Sequence, residues 1–364
     1  MRVTAEQARA FRIARHHLHE RLPAGAVAQA ADSGLQDTPP GTALLALASR
    51  SEAAPAALDE LVIVQSMRGA PLAVAPADVA VFTRGLEPPD EKAARALIGS
   101  ATRSIGAMPA LEALDRMSDA VADALSDGPL ERDAFHDALR ERLPDQLLWW
   151  CQGCGSYHAH PSLWRATGIR GVLAIAGRDG RTTIFGSPPP PEPVEDPGAE
   201  LARRFLRAHG PARPPLLAAW AGIAPAHAKA LWARAGELLE VELEGRRTWA
   251  LAADAATLAD PPPASGVRLL PNLDPFHAGR DREVLVPDEA VRKRLWKAMG
   301  GPGAVLVDGA LAGLWRPTKK GRRLVVTVEP LAEVTARAKD ALAEEAERVA
   351  PFRDAETAEI AWAD

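Results

Sequence analysis

The chain has few cysteines and no long apolar run, and both absences narrow its class. Only Cys151 and Cys154 occur among the 364 residues, which excludes a disulfide framework and indicates a reducing compartment. No uninterrupted apolar stretch reaches the roughly 18 residues that a membrane span needs. The N-terminus also lacks the apolar core of a secretion signal. We therefore expect a cytoplasmic protein with no membrane partner.

An overall positive charge is also missing. The formal net charge is −5, which argues against a histone-like protein that coats DNA through bulk charge. The charge is nevertheless uneven along the chain. Residues 264–330 carry twelve Lys/Arg against seven Asp/Glu, whereas residues 331–364 carry nine acids against four bases. Because local charge matters more than the total, the basic segment is compatible with binding to a polyanion such as DNA.

Residues 198–259 have the clearest sequence pattern of helices and strands. Helical periodicity is followed by two alternating strands around Glu244-Gly245, a typical hairpin turn. Three helices followed by a hairpin are typical of a winged helix, whose third helix can enter the major groove of DNA. Arg246 and Arg247 lie at the predicted hairpin tip. They either contact phosphates or remain solvated side chains of an exposed turn.

The same order of elements recurs earlier in the chain. Helices predicted at 111–125, 131–142 and 162–167 precede strands at 171–176 and 181–185. A capping box formed by Thr4 and Gln7 opens a further helix, predicted to reach Arg21.

The last block of the chain differs, because its apolar runs are short and strand-like. The predicted strands are 267–270, 284–286, 304–307, 313–315 and 324–328, and a terminal helix is predicted at 330–350. Proline-rich breaks at 187–197 and 260–266 predict linkers.

The fold class is therefore predicted as α+β, with tandem winged-helix units followed by an antiparallel β-barrel-like domain and a terminal helix. The segments are a first winged-helix-like unit at 1–105, a second unit at 106–187, a third at 198–259, and the β-rich domain at 264–364.

Five cations surround a glycine turn near the end of the chain: Arg316, Lys319, Lys320, Arg322 and Arg323. Phosphate contacts made there would release counterions and make binding dependent on salt. The alternative is a solvated hairpin tip. We also expect the acidic terminal helix to fold over this basic hairpin.

The two cysteines stand beside two histidines, in the order Cys151, Cys154, His158 and His160. Two thiolates and one or two imidazoles are zinc ligands, although the spacing is unusually compact. Reduced thiols packed within the second winged helix are the alternative. A thioredoxin-like redox role is disfavoured because the βαβ context is absent. Zinc is thus the one cofactor that the pattern indicates, and the predicted function requires none.

Several short motifs have the order and spacing of a known family. They are residues 34–39 followed by 43–47, residues 66–71, residues 201–251, residues 270–276 with 279–282, and residues 315–317 with 319–323. Together they resemble the bacterial winged-helix superfamily that contains the AlkZ-like and YcaQ-like DNA glycosylases. The resemblance implies three winged-helix units that cup duplex DNA, with a β-barrel-like domain alongside. It also implies cleavage of the N-glycosidic bond of alkylated purines.

The resemblance assigns the catalytic motif, Gln-x-Gln or Gln-x-Asp, to this sequence. Gln36 falls on its first position and Thr38 on its second, with Asp37 between them. A threonine hydroxyl cannot act as a base near pH 7. Leu72 stands where many active relatives have a histidine.

The DNA contacts that the resemblance adds are Arg68, Arg280 and Arg282. For two of the assigned residues a structural role is the alternative. Gln36 would then cap the start of a helix, and Arg68 would be an ion-pair partner.

The sequence therefore predicts a monomeric protein that binds double-stranded DNA, associates with the nucleoid and recognises damaged DNA with weak or no base excision. An active monofunctional glycosylase acting on N7-alkylpurines is one alternative. A winged-helix transcription regulator, which would read paired half-sites as a dimer, is the other.

Overall fold

The computed structural model describes residues 1–297 and 300–363. Its α-helices there are α1 Ala5–Arg15, α2 Val27–Ala30, α3 Thr42–Arg50, α4 Val79–Phe82, α5 Glu91–Ile98, α6 Ala110–Ala124, α7 Arg132–Arg142, α8 Pro161–Ala166, α9 Pro197–His209, α10 Pro214–Ala221, α11 Pro225–Trp232, α12 Ala255–Ala259, α13 Arg282–Leu285, α14 Glu289–Leu295 and α15 Ala336–Val349. Within that part of the chain, none of the helices has the length and apolarity to cross a membrane.

The strands of the described residues are β1 Arg2–Val3, β2 Leu35–Gln36, β3 Val62–Gln65, β4 Pro71–Val74, β5 Leu130–Glu131, β6 Leu148–Cys151, β7 Ser156–Ala159, β8 Ala174–Asp179, β9 Thr182–Gly186, β10 Leu238–Leu243, β11 Arg246–Leu251, β12 Val267–Leu270, β13 Gly303–Val307, β14 Ala310–Lys320, β15 Arg323–Pro330 and β16 Thr357–Trp362. The chain divides into two compact units. Unit 1 comprises residues 1–60, 204–213 and 237–364, and unit 2 comprises residues 61–203 and 214–236.

The larger sheet of unit 1 has the strand order β12-β13-β14-β15-β16. The first four strands pair antiparallel, as predicted, whereas β16 pairs parallel to β15. One side of its core contains Trp315, Leu324 and Val326, packed with Leu342 of α15 and Phe352. The described pairings end at β12 and β16, so they do not confirm closure into a barrel.

A second, three-stranded sheet of unit 1 joins the N-terminus to a later hairpin. Strand β1 pairs parallel to β10, and β10 pairs antiparallel to β11. Glu244 and Gly245 both have positive φ, 49° and 74°, which is the geometry of a type I′ turn and explains the predicted hairpin. Phe11 of α1 lies in the core beside this sheet, with Val241 and Ala250.

The main sheet of unit 2 contains the antiparallel sequence β4-β3-β8-β9-β5. Phe135 of α7, Trp164 of α8 and Phe185 of β9 pack their rings with centroids 4.7–5.7 Å apart. Such tilted and edge-on contacts stabilise an aromatic core beyond simple area burial. Strands β6 and β7 form a separate two-stranded hairpin.

The α+β class and most predicted elements agree with the structure. Helices α6, α7 and α8 followed by β8 and β9 have the predicted order, as do α9, α10 and α11 followed by β10 and β11. Residues 187–196 contain neither helix nor strand, as their prolines predict. The compact units do not follow these segments, because α10 and α11 belong to unit 2 and the hairpin β10–β11 to unit 1. The winged-helix identity and the four segment boundaries stay predictions.

Three local predictions are wrong. The run 284–286, predicted as a strand, lies at the end of α13, because periodicity alone cannot distinguish a short apolar run in a strand from one in a helix. Helix α1 ends at Arg15, because His17 has a positive φ of 54° that stops the helix. The predicted terminal helix is α15, but it begins six residues later and strand β16 follows it.

Candidate functional site

The loop before α3 holds the candidate catalytic residues. Gln36 is half-buried at the end of β2, Asp37 is buried, and Thr38 is exposed. Asp37 Oδ1 accepts hydrogen bonds from the backbone N–H of Gly41 at 2.7 Å and of Ala43 at 3.3 Å. A carboxylate at this position satisfies orphan donors and complements the positive end of the helix. Asp37 therefore caps α3, the role that the structural alternative gave to Gln36.

The backbone of the same loop is tied to the first turn of α3. The hydroxyl of Thr42 lies 2.9 Å from the carbonyl oxygen of Gln36 and 2.7 Å from that of Pro39. These bonds fix the backbone on both sides of Thr38. The loop is consequently held in place from residue 36 to residue 43, and the Thr38 side chain faces solvent.

The far end of α3 is anchored by a buried ion pair. Both guanidinium nitrogens of Arg50 donate to the carboxylate of Asp274, at 2.9 and 2.6 Å, and both side chains are at most 1% exposed. Asp274 also accepts from the backbone N–H of Phe276 at 2.9 Å. The motif at 270–276 was recognised in the sequence without a role for Asp274. The available signal was an Asp-Pro pair, which is typical of a side chain that bonds its own backbone two residues on.

A second buried arginine explains the motif at 279–282. Arg12 is fully buried and contacts the carboxylate of Asp281 at 3.0 and 2.6 Å, while its Nε donates to the carbonyl of Gly210. Arg280 is exposed beside this pair. Arg282 lies over the Trp296 ring at 5.0 Å, and burial lowers its pKa, as does the neighbouring Arg280. Of the two predicted DNA contacts Arg280 and Arg282, Arg280 is exposed and Arg282 is half-buried.

Arg68 lies in unit 2, in the turn between β3 and β4. Its φ of 58° places it in the left-handed region. Its guanidinium donates to the backbone carbonyl of Trp220 at the end of α10. A Cβ on Gly222 would lie 2.7 Å from Arg68 Cγ, so a larger residue there would force a shift. Arg68 therefore braces the α10–α11 turn through a backbone carbonyl.

The two arginines at the tip of hairpin β10–β11 are exposed but paired. Arg246 lies 3.4 Å from Glu283, and Arg247 lies 2.6 Å from Glu240. The Arg247 guanidinium also stacks over Trp249 at 5.3 Å. Surface pairs of this kind are weak and exchange readily for other anions.

The basic hairpin β14–β15 is paired with acids from the end of the chain. Lys319 lies 3.8 Å from Asp354, Arg322 contacts Glu356, and Arg323 lies 2.9 Å from Glu359. The acids follow α15, in the turn before β16 and in β16 itself. The expectation that the terminal helix covers these three cations is therefore wrong, because the parallel pairing of β16 with β15 brings Glu359, and the acids just before β16, to the hairpin.

The remaining cations of this hairpin are also exposed. Arg316 donates to the carbonyl of Gly300 at 2.7 Å. Lys320 lies at the end of β14, directly before the glycine of the turn.

The predicted metal ligands meet in hairpin β6–β7, with one exception. Ligand atoms of Cys151, Cys154 and His158 lie within 4.8 Å of one another. Hydrogen bonds from His158 and Cys154 lower the pKa of the Cys151 thiol to about 7, and Cys151 raises the pKa of Cys154. His160 is not in the group, because β7 ends at Ala159 and the His160 ring accepts from the N–H of Ser162 at the start of α8.

Comparison with known proteins gives the chain relatives in one family. The family model described as DNA glycosylase AlkZ-like matches residues 26–352. The interstrand DNA cross-link repair glycosylase of Streptomyces sahachiroi is 29% identical over 248 residues, which span 63% of this chain and 63% of that protein. The solved structure of the Streptomyces sahachiroi DNA glycosylase AlkZ has the same fold, with a TM-score of 0.76 and 23% identity over 100% of both chains. Because the family model spans most of its length, the protein belongs to the AlkZ-like DNA glycosylase family.

Proposed function

We propose that this protein binds damaged duplex DNA and excises bases weakly or not at all. DNA is the substrate class of its family. The observation that carries the proposal is the position of the side chains in the loop at residues 36–38. Thr38, which the family resemblance assigns to the second position of the catalytic motif, is exposed, and the carboxylate of Asp37 accepts hydrogen bonds at the N-terminus of α3.

The chemistry of the reaction makes this position decisive. An N7-alkylated purine carries positive charge and leaves readily, so the protein has to stabilise an oxocarbenium-like sugar and place a water molecule opposite the base. An amide or carboxylate at the second position can orient that water molecule. The Thr38 hydroxyl accepts and donates hydrogen bonds but cannot take a proton near pH 7. Of the catalytic pair that the resemblance implies, only Gln36 matches the family motif.

The distribution of cations supports DNA binding. All predicted contact residues except Arg68 belong to unit 1, namely Arg246, Arg247, Arg280, Arg282, Arg316, Lys319, Lys320, Arg322 and Arg323. Most are exposed, and their acidic partners can be exchanged for phosphates. The similarity to a cross-link repair glycosylase favours bulky or crosslinked purine adducts as the lesion. We further propose that the protein acts as a monomer on chromosomal DNA, in the cytoplasm.

The decisive experiment combines a binding titration with an excision assay. Duplexes with and without N7-methylguanine are titrated at several salt concentrations, and abasic sites are revealed by alkaline strand cleavage. The wild-type protein should bind both duplexes, prefer the damaged one and release little base. Thr38→Gln should raise the excision rate at least about tenfold, equivalent to about 1.4 kcal/mol of transition-state stabilisation.

Matched variants make the result specific. Thr38→Val removes the hydroxyl without adding an amide and should not raise excision. Wild-type excision well above background that is lost in Gln36→Ala would establish an active glycosylase and overturn the proposal. Failure to bind either duplex in dilute buffer would contradict DNA binding. Binding confined to one sequence, regardless of damage, would establish a transcription regulator.

A further inference from the structure

Hairpin β6–β7 brings three potential metal ligands to one end. Trp149 pairs with His158 across the strands, and Cys151 pairs with Ser156 where the loop begins. The backbone N–H of Gly155 closes the loop by donating to the carbonyl of Cys151 at 2.9 Å. Cys154 lies within this loop, so the turn folds it back toward Cys151.

We infer that Cys151, Cys154 and His158 form a zinc site. Their ligand atoms lie within 4.8 Å of one another. In a tetrahedral zinc site the Zn–S and Zn–N bonds of about 2.3 and 2.0–2.1 Å place ligand atoms roughly 3.5–3.8 Å apart. Rotation of the exposed Cys154 side chain can close the difference.

The histidine is held in the orientation that a zinc ligand needs. Nδ1 of His158 lies 2.9 Å from the carbonyl oxygen of Ala159. A ring that donates from Nδ1 to a carbonyl is held in one orientation, and Nε2 would bind the metal in place of the hydrogen bond that His158 makes to Cys151. The Trp149 ring packs edge-on against His158 with centroids 5.6 Å apart, and so restricts rotation of the imidazole.

Two thiolates and one imidazole select the metal. Soft sulfur ligands favour zinc over magnesium or calcium, which prefer oxygen. His160 already accepts from Ser162, and Cys154 is exposed, so the fourth position is open to water. An ion here would fix the hairpin that carries the exposed pair Trp150 and Tyr157, whose ring centroids are 5.2 Å apart.

The test uses the full chain after treatment with a chelator under reducing conditions. Zinc is then titrated against a chromogenic competitor. The wild type should bind one zinc ion per chain. Cys151→Ser, Cys154→Ser and His158→Gln should each weaken zinc binding at least about a hundredfold. Loss of a residue that only hydrogen-bonds a metal ligand weakens binding by up to about a hundredfold, and loss of a ligand itself should cost at least as much. His160→Asn is the matched control, because asparagine keeps a helix cap, and it should bind zinc as the wild type does.

Alkylation of the thiols gives a readout that needs no variant. Zinc should slow modification of both cysteines in the wild-type chain, whereas magnesium should not. Cobalt should give a thiolate-to-metal charge-transfer band that weakens when Cys151→Ser removes one of the two thiolates. Equal zinc affinity in the wild type and the cysteine variants, or alkylation rates unaffected by zinc, would overturn the inference. Loss of affinity in His160→Asn equal to that in His158→Gln would contradict the ligand set.

Discussion

Asp37 shows how the role of a residue depends on where its side chain points. Its position beside a catalytic motif suggests chemistry, whereas its carboxylate accepts from Gly41 and Ala43 at the start of α3. A capping carboxylate stabilises the helix as an anion through the N–H groups and the helix dipole. Substitution of Asp37 should therefore affect stability and not excision.

Replacing Asp37 with alanine should lower the free energy of unfolding by about 0.5–2 kcal/mol, the range for removing a helix cap. Asp37→Asn keeps an acceptor oxygen and should cost less. Urea denaturation followed by circular dichroism measures both. If Asp37→Ala unfolds at the wild-type urea concentration, the cap contributes nothing. If Asp37→Asn, made in the more active Thr38→Gln protein, abolishes excision while the protein stays fully folded, the carboxylate belongs to the chemistry instead.

At the scale of elements, β16 and the residue before it place two acids directly beside the basic hairpin. Glu356 and Glu359 pair with Arg322 and Arg323, so bound DNA has to compete with two carboxylates. The double variant Glu356→Gln, Glu359→Gln should therefore bind duplex DNA more tightly at low salt. The slope of log K against log salt should steepen by about 0.9 for each additional phosphate that the hairpin neutralises.

The control for this variant keeps the change in charge and moves it elsewhere. Glu112→Gln with Glu289→Gln removes two acids that pair with Arg116 and Lys293 in their own helices. A steeper salt dependence in both double variants would mean that net charge alone is responsible. No change in either would show that this hairpin does not contact DNA.

Local elements could be predicted from sequence, whereas pairings between distant elements could not. The turns at Glu244-Gly245 and Asp308-Gly309 have positive φ at both residues, and this preference is local to the dipeptide. The pairing of β1 with β10 joins residues about 240 positions apart. No periodicity within β16 reveals its parallel partner either. The same limit applies to the site, since the roles of Asp274 and Asp281 depend on arginines far away in the chain.

At the scale of the whole molecule, two buried histidines predict that the free energy of unfolding depends on pH. Burial lowers the pKa of His277 to about 4 and lowers that of His16 well below its usual value, with the His209 charge also acting on His16. The unfolded chain therefore binds more protons than the folded chain between about pH 6.5 and pH 4. The free energy of unfolding should fall as the pH drops through this window. Above about pH 6.5 these two histidines should add no pH dependence.

Each of these two histidines should contribute up to about 1.4 kcal/mol per pH unit within the window. Urea denaturation at a series of pH values measures the slope. His277→Gln removes one titrating group and should make the slope shallower by about one proton, whatever its effect on stability at pH 7. A slope that stays unchanged in His277→Gln would show that His277 is protonated to the same extent in both states.

The buried arginine–aspartate pairs also have a consequence for synthesis in the cell. Arg12 and Arg50 leave the ribosome long before Asp281 and Asp274, which follow them by 269 and 224 positions. At about 5–20 residues per second the wait is roughly ten seconds to one minute. Unit 2 lies within residues 61–236, so its chain is complete while both guanidiniums still lack their carboxylates. During synthesis, unit 1 therefore stays incomplete for longer than unit 2, and chaperones have more time to bind it.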